Sequence, residues 1–529
     1  MREGLFPEIP GWFLAREVYC RKKDESRKIL DLAYEIIYKV TKFYSTLNKT
    51  CRGGFETRTC FSSPDQSARR FPVQPDKDRV IDLIEGYKKR MAEMAGAIWG
   101  FAELGLEEAR SSALLAEELE RQGFSVKKGV AGMPTAFVAS WGEGRPVIGI
   151  LAEYDALPGL SNHPVPYRSP IREGAPGHGC GHNLFGTASM AAAVAVKQAM
   201  EKWKIPGTIK CFGTPAEEVC IGKPYMARDG FFDDVDAFLD WHPDFQTTAY
   251  HRTCNAYASV KYTFRGVSAH GNKPWLGRSA LEGAELMGVA VNYLRGHMDP
   301  GQPPEGASTI NYTYTQCGQY PNVIPDAAEA WYIYRIPNRR DLEILHRRIL
   351  KCAQGAAMAT ETQVEAKILT GTHELIPNER MAQLLFRNLE RIGPPPFDAE
   401  EDKFAKELQK AYQVPSLGLS SKIVPPTGGW KGVTDSSEPS WFAPYGVIRV
   451  ACRPIGLPGH SWGANACHGM SIGYKGMVTA AKALGLGAVD LLISPSILEE
   501  AKSEYRERMK GRAYSSLIPP GQEPPLPGH

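Results

Sequence analysis

Three apolar segments, each ending in acidic or histidine side chains, constrain the fold of this chain more than any other feature. They are "PVIGILAEYDALPG", "TIKCFGTPAEE" and "DAFLDWHP". Continuous apolar runs of this length are typical of strands buried on both faces of a parallel sheet. Segments with helical periodicity alternate with them. The sequence therefore predicts an α/β fold with a mixed, largely parallel sheet flanked by helices.

The segment 256–375 has a different pattern, in which apolar and polar residues alternate. Examples are "ASVKYTFRGVSAH", "STINYTYTQCG" and "AEAWYIYRIP", and two helical stretches separate such segments. Strict alternation is typical of an antiparallel sheet with one covered face. We expect a smaller α+β domain inserted into the first one.

The chain length predicts more than one domain, because 529 residues exceed what a single hydrophobic core usually holds. Changes of pattern along the chain suggest five parts. They are an N-terminal extension or linker (1–75), the first part of a catalytic metal-binding domain (76–255), the inserted domain (256–375), the second part of the catalytic domain (376–515) and a Pro/Gly-rich tail (516–529).

Charge and cysteine content exclude several classes of protein. The formal net charge is only +3, which argues against a nucleic-acid-binding protein. The 11 cysteines show no compact disulfide spacing, and the N-terminus is too charged for a secretory signal. We therefore expect a cytoplasmic protein in a reducing compartment. The sequence contains no run of 18 apolar residues, so it does not predict a membrane span.

Potential metal ligands follow the predicted strands or occupy glycine-rich turns. A turn with the sequence "PGHGCGHNLFGT" carries a thiol and imidazole groups directly before a helical segment. Each position alone is a weak signal, since a lone histidine or a pair of glutamates is more often structural or solvated. Together they offer enough ligands for one or two divalent ions with an open position for water: Cys180, His182, Glu217, Glu218, His242 and His460.

Five ordered motifs give the chain a family resemblance. "LAEYDALPGLS", "GHGCGHNLFGTA", "GTPAEE", "DWHPD" and "GVSAHGNKPWLGRSALEGAEL" occur in the order and spacing of the M20 metallopeptidase/amidohydrolase family. Two features make the chain most similar to the group of the second (B) subunit of p-aminobenzoyl-glutamate hydrolase: a shared insert between "EYDALPGLS" and "GHGCGHN", and the late "GLPGHSW". The resemblance covers about residues 76–520. It implies a zinc-peptidase-like catalytic domain with an inserted lid/dimerisation domain.

The resemblance also implies roles for particular residues. Glu217 matches the general base, and Asp155 matches a carboxylate that orients a ligand. Glu153 stands where many members carry a metal-binding histidine, and "TDSSEPSW" stands where some carry a Glu-Asp pair. The family pattern implies two divalent metal ions per subunit, Mn2+ or Zn2+, held by Cys180, His182, Glu218, His242 and His460.

Three residues of the inserted segment match family positions outside the metal centre. His270 resembles a histidine that reaches into the active site of a partner subunit. Asn322 and Arg335 match positions that hold a substrate carboxylate in related carboxypeptidases. The resemblance thus implies a homodimer, or a heterodimer with a paralogous subunit, without nucleic-acid or membrane partners.

The expected function is that of a metal-dependent amidohydrolase. Its substrate would be a small-molecule amide with a free carboxylate, such as an N-acyl amino acid or an aminobenzoyl-glutamate-like compound. Two alternatives stay open. One is a dipeptidase or carboxypeptidase of the same family, and the other is a non-catalytic subunit of a hetero-oligomeric hydrolase.

Overall fold

A computed structural model describes residues 76–302, 306–430 and 432–527, all within one compact unit, Phe71–His529. The predicted N-terminal extension, 1–75, lies outside the described residues. The other domain boundaries stay predictions.

The main sheet has eight strands in the order β1-β2-β4-β3-β5-β16-β6-β15. The central strands β4, β3, β5 and β16 run parallel, whereas β1, β2 and β6 pair antiparallel with a neighbour. The sheet is thus mixed with a parallel centre, as predicted. Its strands are β1 (Ser125–Lys128), β2 (Phe137–Glu143), β3 (Val147–Ala152), β4 (Gly207–Gly213), β5 (Ala237–Asp244), β6 (Thr247–Tyr250), β15 (Ile423–Thr427) and β16 (Tyr445–Ala451).

Helices cover this sheet. The helix that follows the glycine-rich turn is rich in alanine and buried over most of its length, so it packs closely on the strands and on three neighbouring helices. Small side chains permit this approach. The helices of this domain are α1 (Lys77–Phe101), α2 (Ala109–Arg121), α3 (His182–Trp203), α4 (Gly222–Arg228), α7 (Glu379–Ile392), α8 (Ala399–Ala411), α9 (Trp462–His468), α10 (Ser471–Ile493) and α11 (Pro495–Met509).

The inserted domain has a four-stranded antiparallel sheet in the order β11-β13-β7-β14. Burial alternates along β13, as the alternating sequence predicted. The two predicted helices pack on each other and on this sheet. The elements are β7 (Ala256–Arg265), β8 (Ala269–His270), α5 (Ala280–Arg295), β9 (Gly301–Gln302), β10 (Gly306–Ala307), β11 (Thr309–Gln316), β12 (Val323–Ile324), β13 (Ala327–Ile336), α6 (Arg339–Ala359) and β14 (Gln363–Thr372).

Helix α10 is long and apolar enough to cross a membrane by length and composition alone. However, 83% of its most apolar window is buried within the protein, and it contacts α1, α3 and α7. That environment is the one expected of a core helix. Small residues along it, such as Gly485 and Gly487, permit the close packing.

Candidate metal centre and active-site cavity

The glycine-rich turn places Cys180 and His182 at the start of α3. Gly181 caps this helix with a φ of 87°, a conformation that favours glycine. A Cβ atom there would also lie 2.9 Å from Cγ of Pro243. The turn therefore needs glycine both for its backbone angle and for close contact with the end of β5.

Two histidines of the centre are held through Nδ1. The Nδ1–H of His182 donates to Asp155 Oδ1 at 2.7 Å, and that of His242 donates to the Pro243 carbonyl at 2.7 Å. Nε2 of His242 lies 3.1 Å from Cys180 Sγ. A hydrogen bond that fixes Nδ1 directs the lone pair of Nε2 at a metal, which is the usual arrangement for a ligating histidine.

Three sets of side chains bring candidate ligand atoms within 4.8 Å of one another. They are Cys180 with His182 and His242, Cys180 with Glu218 and His460, and Glu153 with His182 and Glu217. Because Cys180 belongs to two sets and His182 to two, the sets form one continuous cluster. All five predicted metal ligands therefore meet in one place.

Buried polar atoms without hydrogen-bond partners indicate whether a cation fits in this cluster. Among the described residues, Glu218 Oε1, His182 Nε2 and Glu153 Oε2 are buried without a hydrogen-bond partner, the last two lying 3.3 Å apart. Such atoms are costly to bury unless something binds them. The donor set of thiol, imidazole and carboxylate suits divalent zinc or manganese. The residues thus fit the metal ions that the sequence predicted.

Asp155 positions two members of the cluster at once. Besides holding His182, it accepts a hydrogen bond from the backbone N–H of Glu218 at 2.9 Å. It is fully buried at the end of β3. This contact agrees with the orienting role predicted for Asp155 and ties the position of the Glu217–Glu218 turn to that of His182.

The backbone around Glu217 is unusual. Ala216 and Cys220, which flank the short 3₁₀ turn Glu217–Val219, have φ values of 57° and 55°. His460 has a φ of 49°. Non-glycine residues in this region cost on the order of 1–3 kcal/mol and tend to cluster at functional sites. Here they aim the side chains of the turn at the cluster.

Glu217 is held by a residue that is distant in sequence and lines the same cavity. Thr434 Oγ1 donates to Glu217 Oε1 at 2.8 Å, and Glu217 Oε2 lies 3.9 Å from His182 Nε2. One oxygen is therefore fixed by a hydroxyl while the other faces the cluster. Sequence reasoning did not identify Thr434.

A buried cation behind the cluster was also missed by sequence reasoning. Lys223 is fully buried and donates to Glu153 Oε1 at 2.8 Å and Asp435 Oδ1 at 2.5 Å. Burial opposes its charge, but Asp435 and Glu153 hold the pKa of Lys223 well above its usual value. The available signal was a single lysine in the apolar segment "CIGKPYMA". The atypical "TDSSEPSW" segment supplies Asp435, so it provides the lysine's counter-ion.

Most members of the cluster line a cavity of about 490 Å³ that is also lined by both domains. Arg335 on β13 reaches this cavity together with Trp331 and Tyr257 of the inserted domain. His270 and Asn322 are not among the described residues that line it. Instead, β8 pairs with β12, and the Gly271 N–H donates to the Asn322 carbonyl at 2.8 Å. Both side chains are exposed, so their predicted roles remain untested in a single chain.

Burial raises the pKa of the Cys180 thiol to about 12, and that of Glu218 to about 8. Both groups must lose a proton to bind a cation. We expect metal-stripped protein to release protons when it binds metal at pH 7, and to bind metal more tightly as pH rises. Cys180→Ala should release fewer protons on binding metal, which calorimetry in two buffers measures. It should also hold less metal, which elemental analysis measures.

Cys211 is the matched control, because burial raises the pKa of its thiol to about 12 as well. It lies on β4 among apolar residues, outside the three ligand sets. Cys211→Ala should keep the metal content and proton release of the unmodified protein. Full metal occupancy in Cys180→Ala would remove Cys180 from the ligand set.

Comparison with known proteins gives a consistent result. Residues 149–461 match the model of peptidase family M20/M25/M40. The second (B) subunit of the p-aminobenzoyl-glutamate hydrolase of Escherichia coli is 34% identical, over 84% of this chain and 98% of that protein. Mouse Xaa-Arg dipeptidase is 27% identical, over 82% of this chain and 93% of that protein. A solved Bacillus subtilis protein described as a dinuclear metal-binding M20 peptidase shares the fold, with a TM-score of 0.51, 16% identity and coverage of 78% and 99%.

Proposed function

This chain belongs to peptidase family M20/M25/M40 and is a hydrolase of amide bonds, and we propose that it cleaves N-acyl amino acids of the aminobenzoyl-glutamate type in a metal-dependent reaction. One observation carries this proposal. Four of the five candidate metal ligands line one cavity, and the fifth, His182, is buried beside them. Glu217 and, from the second domain, Arg335 line the same cavity.

We assign the two divalent ions of this site to Cys180, His182, Glu218, His242 and His460. When bound, such ions lower the pKa of a coordinated water to about 7 and polarise a substrate carbonyl. The thiolate and imidazoles favour zinc, whereas carboxylates also suit manganese.

Side chains of the protein then transfer the proton of the attacking water. Glu217, which Thr434 fixes through one oxygen, accepts a proton from the attacking water and delivers it to the leaving nitrogen. A carboxylate in this role typically contributes about 10²- to 10⁴-fold to the rate. Asp155 keeps His182 in one tautomer throughout.

The carboxylate of the substrate is assigned to Arg335. Among the described residues it has no carboxylate partner, and its guanidinium lies 5.5 Å from the ring centroid of Tyr257. A planar guanidinium matches a carboxylate with two parallel hydrogen bonds, which a lysine cannot reproduce. The cavity therefore suits a substrate with a free acid beside the scissile amide.

Arg335→Lys should weaken the binding of the transition state of free-acid substrates by about 1.5–3 kcal/mol, the range for hydrogen bonds to a charged group, and this loss appears as a lower kcat/KM. The same substrate with its carboxylate amidated should lose much less. Steady-state kinetics on both substrates give the comparison. Equal losses on both would place Arg335 outside carboxylate recognition.

Two alternatives have specific support. Xaa-Arg dipeptidase relatives favour a dipeptide substrate, and the bacterial relative, being one subunit of its hydrolase, favours a hetero-oligomer. We also propose a cytoplasmic homodimer in which exposed His270 reaches a partner's site. Mixing inactive His270→Ala and Glu217→Gln subunits should then restore activity at about a quarter of the sites under random exchange.

A substrate panel tests the proposed function. Protein loaded with Mn2+ or Zn2+ would be assayed against aminobenzoyl-glutamate, N-acetyl amino acids and dipeptides with arginine at the C-terminus. The proposal expects the highest kcat/KM for the first class. A preference for dipeptides would favour the dipeptidase alternative, and no hydrolysis at all would favour a non-catalytic subunit.

A further inference from the structure

A second arginine, Arg449, faces the cavity from the catalytic domain. It lies on β16 in register with His242 on the neighbouring parallel strand β5. Residues in register on adjacent strands project to the same face of a sheet. Arg449 is therefore next to a candidate metal ligand, and it lines the same cavity as Arg335.

The guanidinium of Arg449 has unused hydrogen-bonding capacity. Among the described residues, its Nε is buried without a hydrogen-bond partner and no ion pair joins its guanidinium to a carboxylate. Its nearest aromatic contact is Tyr250, whose ring centroid is 5.8 Å from Cζ of Arg449. A buried donor without a partner is costly and calls for an acceptor.

The acidic groups around the cavity are already engaged. Asp240 accepts hydrogen bonds from the Tyr445 hydroxyl and from the Trp241 N–H. Asp244 pairs with Arg453 at 3.0 Å, and Glu153 pairs with Lys223. Glu217 and Glu218 belong to the metal centre. The donors to Asp240 are neutral; burial raises the pKa of this carboxyl, and Arg449 also acts on it from a distance and lowers that pKa. Among the described residues, no carboxylate makes an ion pair with Arg449, and its guanidinium donors are left for a ligand.

Another cavity arginine differs from Arg449 in its contacts. Arg252 donates from Nε and Nη2 to Thr427 Oγ1 at 3.2 and 3.0 Å. It stacks on Tyr250 at 4.3 Å from the ring centroid. Arg252 is thus held by protein groups, whereas Arg335 and Arg449 each keep donors for a ligand.

We propose that Arg449 binds a second carboxylate of the substrate, so that the enzyme selects N-acyl amino acids with an acidic side chain. This inference rests on the proposed amidohydrolase function. One carboxylate pairs with Arg335 on the inserted domain and the other pairs with Arg449 beside His242. A cationic side chain, such as that of an arginine dipeptide, would meet Arg449 as a like charge and be rejected.

The test compares p-aminobenzoyl-glutamate with p-aminobenzoyl-glutamine, which differ only in the side-chain carboxylate. Metal-loaded protein, Arg449→Gln and Arg252→Gln would be assayed on both. Arg449→Gln should lose on the order of 10- to 100-fold in kcat/KM for the glutamate substrate, and under about 3-fold for the glutamine one. Its metal content should equal that of the unmodified protein. Arg252→Gln should affect both substrates alike.

Two results would overturn the inference. Equal weakening of both substrates by Arg449→Gln would mean that this arginine only balances the charge of nearby Asp240. A selective loss in Arg252→Gln instead would assign the second carboxylate to the other arginine.

A binding measurement separates this inference from the proposed function. If neither substrate is hydrolysed, the proposed function fails, and titration calorimetry with glutarate and its monoamide decides the role of Arg449. Glutarate should bind at least about 10-fold more tightly, and Arg449→Gln should abolish that preference. Equal binding of the two compounds would overturn the inference even if amide hydrolysis is observed.

Discussion

Glu217→Gln should lower kcat by at least about 10²-fold while keeping both metals and the fold. The amide has nearly the shape of the carboxylate and can still accept the hydrogen bond from Thr434. It cannot accept a proton from water at neutral pH. The measurements are kcat on a hydrolysed N-acyl amino acid, metal content and thermal unfolding.

Glu218→Gln is the matched control, because it makes the same change one residue away. Glu218 lies 3.5 Å from His460 Nε2 through Oε2 and belongs to a candidate ligand set. We expect this variant to lose metal, and to recover part of its activity when metal is added in excess. Equal loss of metal in both variants would contradict the assignment of Glu217 as the base and Glu218 as a metal ligand.

Lys223→Met should destabilise the protein by about 3–5 kcal/mol, the usual cost of removing one partner of a buried ion pair. The substitution leaves Glu153 and Asp435 buried without their shared cation. Chemical denaturation gives the change in the free energy of unfolding. Adding Asp435→Asn to this variant should restore part of the loss, because one uncompensated charge is removed.

Lys210→Met is the matched control for this substitution. Lys210 pairs with Asp234, whose side chain is 54% exposed, so solvent screens the interaction. An exposed pair contributes only about 0–1 kcal/mol. Similar losses for Lys210→Met and Lys223→Met would mean that the buried charge cluster has no special structural role.

Much of the metal centre could be predicted because strand ends are local features. Apolar runs identify β3, β4 and β5, and parallel strands deliver their C-terminal residues to one edge of a sheet. Glu217 and His242 follow from that rule, whereas Asp155 was assigned through the family resemblance. The glycine-rich turn marked Cys180 and His182 in the same way.

The remaining parts depend on contacts between distant segments. Strand β16 is seven residues long and lies in a proline-rich region, so its pattern gave little signal, and Arg449 went unnoticed with it. Lys223 and Asp435 are 212 residues apart, and the sequence around each of them does not indicate its partner. The predicted role of His270 needs a second chain, which a pattern within one sequence cannot position, and the predicted role of Asn322 in substrate binding stays a prediction.

The most direct test is a metal titration of chelator-stripped protein, with release of p-aminobenzoate from p-aminobenzoyl-glutamate followed at each addition. We expect no activity without metal, and a rate that rises to a plateau near two bound ions per subunit. Glu217→Gln should bind the same two ions and stay inactive. Full hydrolysis by stripped protein, or none by fully loaded protein, would contradict the assignment of this site as a metal-dependent amidohydrolase.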